Sequence, residues 1–253
     1  MTNKLKYFIG NWKMFGDFGS LKIIYQIHRF CTKFKKRDIK NKIILCVPFT
    51  LIYFFTKKLK SKLISIGAQN CHHHDTFGPF TGSVNASMLK NAGATYVILG
   101  HSENRNAGES NKIIRKKIKS ALSQKLNIIF CVGESLMEKN RKKTFYVIRK
   151  QMKDSLNKKF NHSRIMIAYE PIWSIGTGKI PELSYLRKTL QFIKKEFKKI
   201  FKKSILSKVL YGGSVDSKNI GLFTTIDEID GFLIGGASRS SKKFIDIVKK
   251  SYK

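Results

Sequence analysis

One carboxylate in the sequence stands where an apolar strand meets a loop with two hinges. Residues 165–169 are apolar or aromatic and are typical of a buried β-strand, which Pro171 cannot continue inside a sheet. Glu170 is therefore held at the carboxyl end of a strand. Gly176 and Gly178 follow and allow the backbone to hinge. The pattern indicates a lid that closes over a base and keeps water away. An ordinary strand-to-helix loop is the alternative, so the interpretation depends on the rest of the chain.

The elements that must position this carboxylate are visible as eight short apolar runs. They span residues 7–10, 43–47, 63–66, 96–99, 127–132, 165–169, 209–211 and 231–234. Amphipathic stretches lie between them, with apolar residues every three or four positions, at 21–34, 112–126, 145–160 and 185–201. Alternating strands and helices predict a parallel sheet. Eight such units fit one closed (β/α)8 barrel domain over residues 1–253. A two-domain α/β protein is the alternative, although no Pro-, Ser- or Gly-rich linker divides the chain.

Polar and reactive residues follow six of these strands, at the end where a barrel carries its chemistry. Strands seven and eight end in glycine-rich turns, which expose backbone N–H groups as phosphate sites do. Each signal is weak alone, but one barrel would bring all of them to the same face. The residues are Asn11 and Lys13, His101 and Glu103, Cys131 and Glu134, Glu170, Gly212 to Ser214, and Gly235 to Ser238.

The net charge is the one compositional extreme. The chain has 50 Lys and Arg against 16 Asp and Glu, for a formal charge of +34. Such a charge is compatible with nucleic-acid binding. However, the basic residues are mostly lysines spread over nearly every helical segment, whereas phosphate-reading surfaces concentrate charge on one face and favour arginine. We therefore expect weak binding to polyanions in general and no specific nucleic-acid partner.

Hydropathy and cysteine usage favour a cytoplasmic protein. The 42% hydrophobic content suffices for a core, and no run approaches the roughly 18 apolar residues of a membrane span. The apolar run within residues 1–10 is too short for a secretory signal. The four cysteines form no CxxC pair, so reduced thiols are expected rather than a disulfide framework. We expect no membrane partner.

A series of motifs from Phe8 to about Ser238 resembles the triosephosphate isomerase family. The run Tyr-Glu-Pro-Ile-Trp followed by Gly-Thr-Gly is highly specific. The resemblance implies a single-domain TIM barrel that interconverts D-glyceraldehyde 3-phosphate and dihydroxyacetone phosphate through an enediolate, in glycolysis and gluconeogenesis, with no metal or organic cofactor. The motifs, in order, are Asn11-Trp12-Lys13, Ala68-Gln69-Asn70, Phe80-Thr81-Gly82, Gly100-His101-Ser102-Glu103, Cys131-Val132-Gly133-Glu134, Tyr169-Glu170-Pro171 to Gly178, Tyr211-Gly212-Gly213-Ser214 and Gly235-Gly236-Ala237-Ser238.

The resemblance also implies a role for each catalytic residue. Glu170 would be the base, and His101 the electrophile that hydrogen-bonds both substrate oxygens. Lys13 would supply positive charge beside the phosphate and the developing oxyanion. Asn11 would orient Lys13 and bind substrate, and Glu103 would pair with that lysine. Cys131 would pack rather than take part in catalysis.

Phosphate binding and dimer formation are implied in the same way. Backbone N–H groups of Gly176, Ser214, Gly235 and Gly236 would hold the substrate phosphate. The family is usually a homodimer, in which Thr81, on the loop after strand three, would reach the partner's active site. Dimer formation is then tied to activity, because it braces the catalytic side chains.

Two residues depart from the family pattern at this interface. Ser83 stands where the family commonly has Glu, and Asn104 stands where it commonly has Arg. In the family those side chains form an ion pair between subunits. Because both halves are missing together, no charge is left unpaired. We expect an intact active site and a weaker dimer.

Three other functions remain open from the residues themselves. Lys13 could form a Schiff base, as in an aldolase, although the Glu170 lid argues against it. A binding protein could use its excess lysine as the functional surface. His72, His73 and His74 could hold a metal ion, but adjacent histidines point to different sides, so adventitious surface binding is the better interpretation.

Overall fold

Eight parallel strands close into one barrel in the computed structural model, which describes residues 5–34, 40–202 and 207–252. Each strand pairs with the next in sequence, and the last pairs with the first. The (β/α)8 prediction is confirmed. The strands are β1 Lys6–Asn11, β2 Asn41–Cys46, β3 Ile64–Ala68, β4 Tyr96–Leu99, β5 Asn127–Val132, β6 Ile165–Tyr169, β7 Lys208–Tyr211 and β8 Gly231–Ile234.

Helices connect the strands. The α-helices of the described ranges are α1 Leu21–Phe34, α2 Phe49–Leu59, α3 Ala86–Asn91, α4 Ser102–Asn106, α5 Asn111–Ser123, α6 Leu136–Asn140, α7 Thr144–Ser155, α8 Leu183–Phe201, α9 Ile220–Phe223 and α10 Ser241–Lys250. Short 3₁₀ turns occur at Phe18–Ser20, His162–Arg164, Ile172–Ser174 and Gly236–Arg239.

Two helices end earlier than their apolar periodicity predicts. The pattern at 145–160 gives a helix that stops at Ser155, because Leu156 is extended and the Asn157 side chain accepts a hydrogen bond from the Lys159 N–H at 2.9 Å. The pattern at 112–126 stops at Ser123, and Lys125 turns the chain with a φ of 57°. Local side-chain bonds and left-handed residues therefore set the helix ends.

Alternating strand residues form two apolar layers. Side chains such as Ile9, Ile98 and Leu210 fill the barrel, while Phe8 and Phe130 pack outward against the helices. The barrel interior is therefore solid, and an open polar site can exist only at its rim.

The ends of β5 and β6 lie very close together beside Glu170, the predicted base. A Cβ added to Gly133, just after β5, would lie 1.8 Å from the Glu170 carbonyl oxygen. The Glu170 N–H also donates to the Val132 carbonyl at 2.8 Å. Only glycine allows this approach, which fixes Glu170 against its neighbouring strand.

The four cysteines are buried free thiols, as their spacing predicts. Burial raises the pKa of Cys31 and of Cys71 to about 12. Among the described residues, no helix is both long enough and apolar enough to cross a membrane.

Candidate active site

The carboxyl ends of the strands surround a cavity of about 270 Å³. Residues predicted from the strand ends line it, namely Asn11, Lys13, His101, Glu170, Gly176, Ser214, Gly235 and Gly236. Glu103 lines an adjoining cavity that Asn11, Lys13 and His101 share. Of the residues to which the resemblance assigns a catalytic, phosphate-binding or interface role, only Thr81 lines neither cavity; it is exposed on the loop between β3 and α3.

Glu170 is a buried carboxylate that lies beside His101. The residue is only 3% exposed, and its Oε1 lies 3.3 Å from Nε2 of His101. Its Oε2 accepts no hydrogen bond from any described residue. One oxygen is thus placed beside a possible donor, while the other is free to take up a proton.

A backbone N–H of α4 determines which ring nitrogen of His101 carries the proton. The ring is 4% exposed, and its Nδ1 accepts the Glu103 N–H at 3.2 Å, as the N-cap of α4. A nitrogen that accepts this bond carries no proton, so we assign the neutral ring with its proton on Nε2. The donor nitrogen is therefore the one that faces Glu170.

Lys13 adopts a backbone conformation that non-glycine residues rarely adopt. Its φ is 57°, which costs roughly 1–2 kcal/mol outside glycine. The Asn11 side chain accepts the Lys13 N–H at 3.2 Å, and the Gln69 amide donates to the Lys13 carbonyl at 2.9 Å. Lys13 Nζ forms an ion pair with Glu103 at 2.6 Å. The strain is local to the site, where Asn11 and Gln69 hold the backbone of Lys13 and Glu103 holds its ammonium.

Gln69 is a positioning residue that sequence reasoning placed in a motif but not in the site. Its amide also donates to the Cys46 carbonyl at 3.0 Å, so it ties the loop after β1 to the end of β2. A glutamine just beyond a buried strand is the available sequence signal. That signal cannot reveal the two carbonyls, which come from distant parts of the chain.

The loop after β6 is docked on the turn after β7. The Gly178 N–H donates to Ser214 Oγ at 3.2 Å, and Ser214 Oγ donates to the Ser174 carbonyl at 2.6 Å. Gly176 and Gly178 have φ of 69° and 75°, and both are exposed. The predicted hinge glycines therefore lie where the loop turns back over the cavity.

Glu134 holds the first residues of this loop from below. Its carboxylate is fully buried and accepts hydrogen bonds from the Tyr169 hydroxyl, Trp173 Nε1 and the Tyr185 hydroxyl, at 2.9 to 3.2 Å. Burial raises the pKa of Glu134, and these donors offset part of that shift. Lys139 Nζ lies 3.7 Å from the centroid of the Trp173 ring. The sequence places Glu134 at a strand end but does not predict this role, because Tyr185 lies 51 positions away.

Cys131 lies beside the site but is not suited to act as a nucleophile. Burial first, and then the nearby Glu170 carboxylate, raise the pKa of its thiol well above the usual range. The thiol is 1% exposed and belongs to the apolar cluster inside the barrel. Because the thiolate is the reactive form, this environment favours packing.

The three adjacent histidines form an aromatic cluster on the loop after β3. The Phe80 ring lies 4.5 Å from the His72 ring and 4.9 Å from the His74 ring, centroid to centroid. In the described residues, no group of three or more His, Cys, Asp or Glu side chains is placed to hold a metal ion.

Comparison with known proteins gives consistent results over nearly the whole chain. A family model described as "Triosephosphate isomerase" matches residues 6–251. The chain is 40% identical to a triosephosphate isomerase of Dictyoglomus thermophilum, over 96% of this chain and 98% of that protein. It is 38% identical to one of Yarrowia lipolytica, over 94% and 95%. A crystal structure of triosephosphate isomerase from Bartonella henselae superposes with a TM-score of 0.87 at 34% identity, covering 98% and 99% of the two chains.

Proposed function

The chain belongs to the triosephosphate isomerase family, and we propose that the cavity at the ends of β1, β4 and β6 is its active site. The protein interconverts D-glyceraldehyde 3-phosphate and dihydroxyacetone phosphate, a step of glycolysis. One observation carries the assignment of the site: the buried Glu170 carboxylate lies 3.3 Å from the donor nitrogen of a neutral His101. The reaction moves a proton between adjacent carbons, so it needs such a base beside such a donor.

Glu170 acts as the base in this proposal. Its Oε2, which has no partner among the described residues, takes the proton from substrate carbon and returns it to the neighbouring carbon. Ile175, Gly176 and Gly178 of the loop after β6 line the same cavity as Glu170. A loop in this position keeps water away from the proton transfer.

His101 and Lys13 stabilise the negative charge that develops on the substrate oxygens. His101 donates from Nε2, since Nδ1 is occupied by the backbone of α4. Lys13 contributes a fixed positive charge, with Asn11 orienting it and Glu103 restraining its ammonium. Removing one preorganised donor of this kind typically costs about 10²–10³-fold in kcat.

The phosphate is held by backbone N–H groups of Gly176, Ser214, Gly235 and Gly236. All four residues line the cavity, and a Cβ on Gly235 would lie 4.0 Å from Cε of Lys13. Phosphate and ammonium are thereby kept adjacent. The proposal needs no metal or organic cofactor.

A coupled assay of the isomerisation tests the assignment of the base. We expect Glu170→Gln, which keeps the side-chain shape and removes the basic oxygen, to lower kcat by about 10²–10⁴-fold with little change in KM. Glu182→Gln is the matched control, because Glu182 is an exposed carboxylate close to the lid whose described partner is Ser184. Equal activity of the Glu170→Gln variant and the control in folded protein would refute the assignment.

The protein forms a homodimer in this proposal, with Thr81 entering the partner's active site. Large apolar side chains are exposed on the two loops, including Met14 at 95%, Phe77 at 72% and Phe15 at 56%. Such side chains on the loops after β1 and β3 are expected where a second copy covers them. Serine at 83 and asparagine at 104 leave the interface without one ion pair.

Restoring that pair tests its contribution to dimer strength. We expect the double variant Ser83→Glu/Asn104→Arg to have a dimer dissociation constant about tenfold lower than the effects of the two single changes together predict. Only the double variant contains both charges of the ion pair. Sedimentation at nanomolar concentrations measures the equilibrium. A wild-type dimer that stays intact at nanomolar concentration would contradict the expected weakness.

The pathway and cellular setting complete the proposal. We place the enzyme in the cytoplasm, where it also serves gluconeogenesis and shares glyceraldehyde 3-phosphate with the pentose phosphate pathway. We propose a single domain over residues 1–253, which is supported by the described strands, because they all belong to one barrel.

A further inference from the structure

A groove far larger than the active-site cavity runs between α5 and the segment that follows α7. Its volume is about 1050 Å³, against about 270 Å³ for the active-site cavity. Five of the ten residues that line it are cationic. Lys112, Arg115, Lys116 and Lys119 come from α5, and Lys159 comes from the opposite wall.

The four basic residues of α5 form one continuous stripe. Positions 112, 115, 116 and 119 are spaced by three and four residues, so they lie on one face of the helix. A rise of 1.5 Å per residue spreads the stripe over about 10 Å. The opposite face of α5 is buried, through Ile114, Ile118 and Ala121. The helix therefore presents a row of charges along the groove.

These charges have no acidic partner in the described part of the chain. No side chain of the five cations takes part in a hydrogen bond or in an ion pair within 4.0 Å there, and Lys112, Lys116 and Lys119 are exposed. Asp154 is the one acidic residue that lines the groove, and it accepts from the Asn111 amide at 3.3 Å. Five positive charges against one negative charge leave an excess of four.

We propose that this groove binds a chain of phosphate groups, as carried by a nucleoside triphosphate or by free tripolyphosphate. A triphosphate bears about four negative charges near neutral pH, which matches the excess of the groove. A single phosphate cannot contact a row of charges about 10 Å long, whereas a linear run of phosphates can. Asn111 and Asn157 add amide donors on the two walls, and a half-buried Phe160 supplies an apolar surface.

The groove is independent of the isomerase site. Its lining residues come from α5 and its N-cap, from the end of α7 and from the segment that follows α7, and none of them lines the cavity that contains Glu170. Binding there is therefore expected to leave turnover unchanged. The proposal does not depend on the assigned roles of Glu170 or His101.

Calorimetric titration at physiological salt tests the proposal, with tripolyphosphate and ATP as probes. Glycerol 3-phosphate, which cannot isomerise, is kept in excess to fill the active site. The groove variant is Lys112→Gln/Lys116→Gln/Lys119→Gln. The matched control is Lys188→Gln/Lys195→Gln/Lys198→Gln, which removes the same charge from exposed positions of α8.

The expected result is saturable binding that weakens about tenfold or more in the groove variant and less than about twofold in the control. The tenfold weakening corresponds to the loss of three ion pairs, each as strong as exposed ion pairs usually are. Equal affinity for ATP and tripolyphosphate would show that the groove recognises the phosphates alone. Tighter binding of ATP would show that the groove also contacts the base. Equal weakening in the two variants, or no saturable binding by the wild type, would overturn the proposal.

Discussion

The replacement Gly212→Ala tests how closely the fold positions the catalytic base. Gly212 follows β7, and its N–H donates to the Tyr169 carbonyl at 2.8 Å. An added Cβ would lie 2.7 Å from Cγ of Glu170 and 3.3 Å from its Oε1, whereas ordinary contact distances are 3.4–4 Å. The strand ends are fixed by hydrogen bonds, so the Glu170 side chain must move by about 1 Å.

A displacement of that size has a calculable effect on rate. Misplacing a reacting group by about 1 Å can cost about 10²-fold, equivalent to about 2.7 kcal/mol of transition-state stabilisation. We expect the loss to appear in kcat and the KM to change little, because the proposed phosphate contacts lie elsewhere in the cavity. The coupled isomerisation assay gives both parameters.

Gly221→Ala is the control, because an added Cβ at Gly221 in α9 meets no atom within 4 Å. It should keep full activity and gain about 0.5–1 kcal/mol in stability from helix propensity. In the Gly212→Ala background, Glu170→Asp should cost less than in the wild type, since the shorter side chain relieves the contact. A folded Gly212→Ala enzyme with kcat within twofold of wild type would refute the steric reasoning.

Two further predictions concern stability. Four lysines have a positive φ after a helix, namely Lys60, Lys125, Lys142 and Lys202. Replacing any one of them by Gly should raise the free energy of unfolding by about 1 kcal/mol, which urea titration measures. Lys198→Gly, within α8, should lower it by about as much. Burial raises the pKa of Glu196, but hydrogen bonds from Arg149 and Lys199 outweigh it, and the net shift is downward. Because the folded pKa lies below the unfolded one, that stabilisation is present at neutral pH and is lost as pH falls through the folded pKa. Glu196→Gln should therefore destabilise at pH 7, and a gap to wild type that does not narrow in acid would contradict the assignment.

The barrel was predictable because strand and helix leave different periodicities in the sequence. The apolar runs at 96–99, 127–132, 165–169 and 231–234 match β4, β5, β6 and β8 to the residue. The remaining strands differ by one or two residues at their ends. Once eight parallel strands close, their carboxyl ends must share one rim, so the clustering of Asn11, His101 and Glu170 follows from topology.

Contacts that join distant residues through side-chain geometry were not predictable. The three donors to Glu134 come from positions 169, 173 and 185, and no local pattern marks them as neighbours. The two carbonyls that Gln69 joins are equally separate in sequence. The α5 groove was also missed, because composition shows only that lysine is abundant everywhere. The structure adds that four of these charges lie along one wall of a cavity.

The five described non-glycine residues with positive φ are all lysines, and the contacts separate one of them from the rest. Lys13 is held by Asn11, Gln69 and Glu103, and it lines the active-site cavity. The other four occur after helices and do not line that cavity. The same backbone strain therefore has two origins. At helix ends glycine would relieve it at no cost to the chemistry, whereas at position 13 glycine would relieve it and remove the ammonium that the strained backbone positions. Strain alone does not identify a functional residue; strain together with separate contacts that hold both the backbone and the charged group of one residue does.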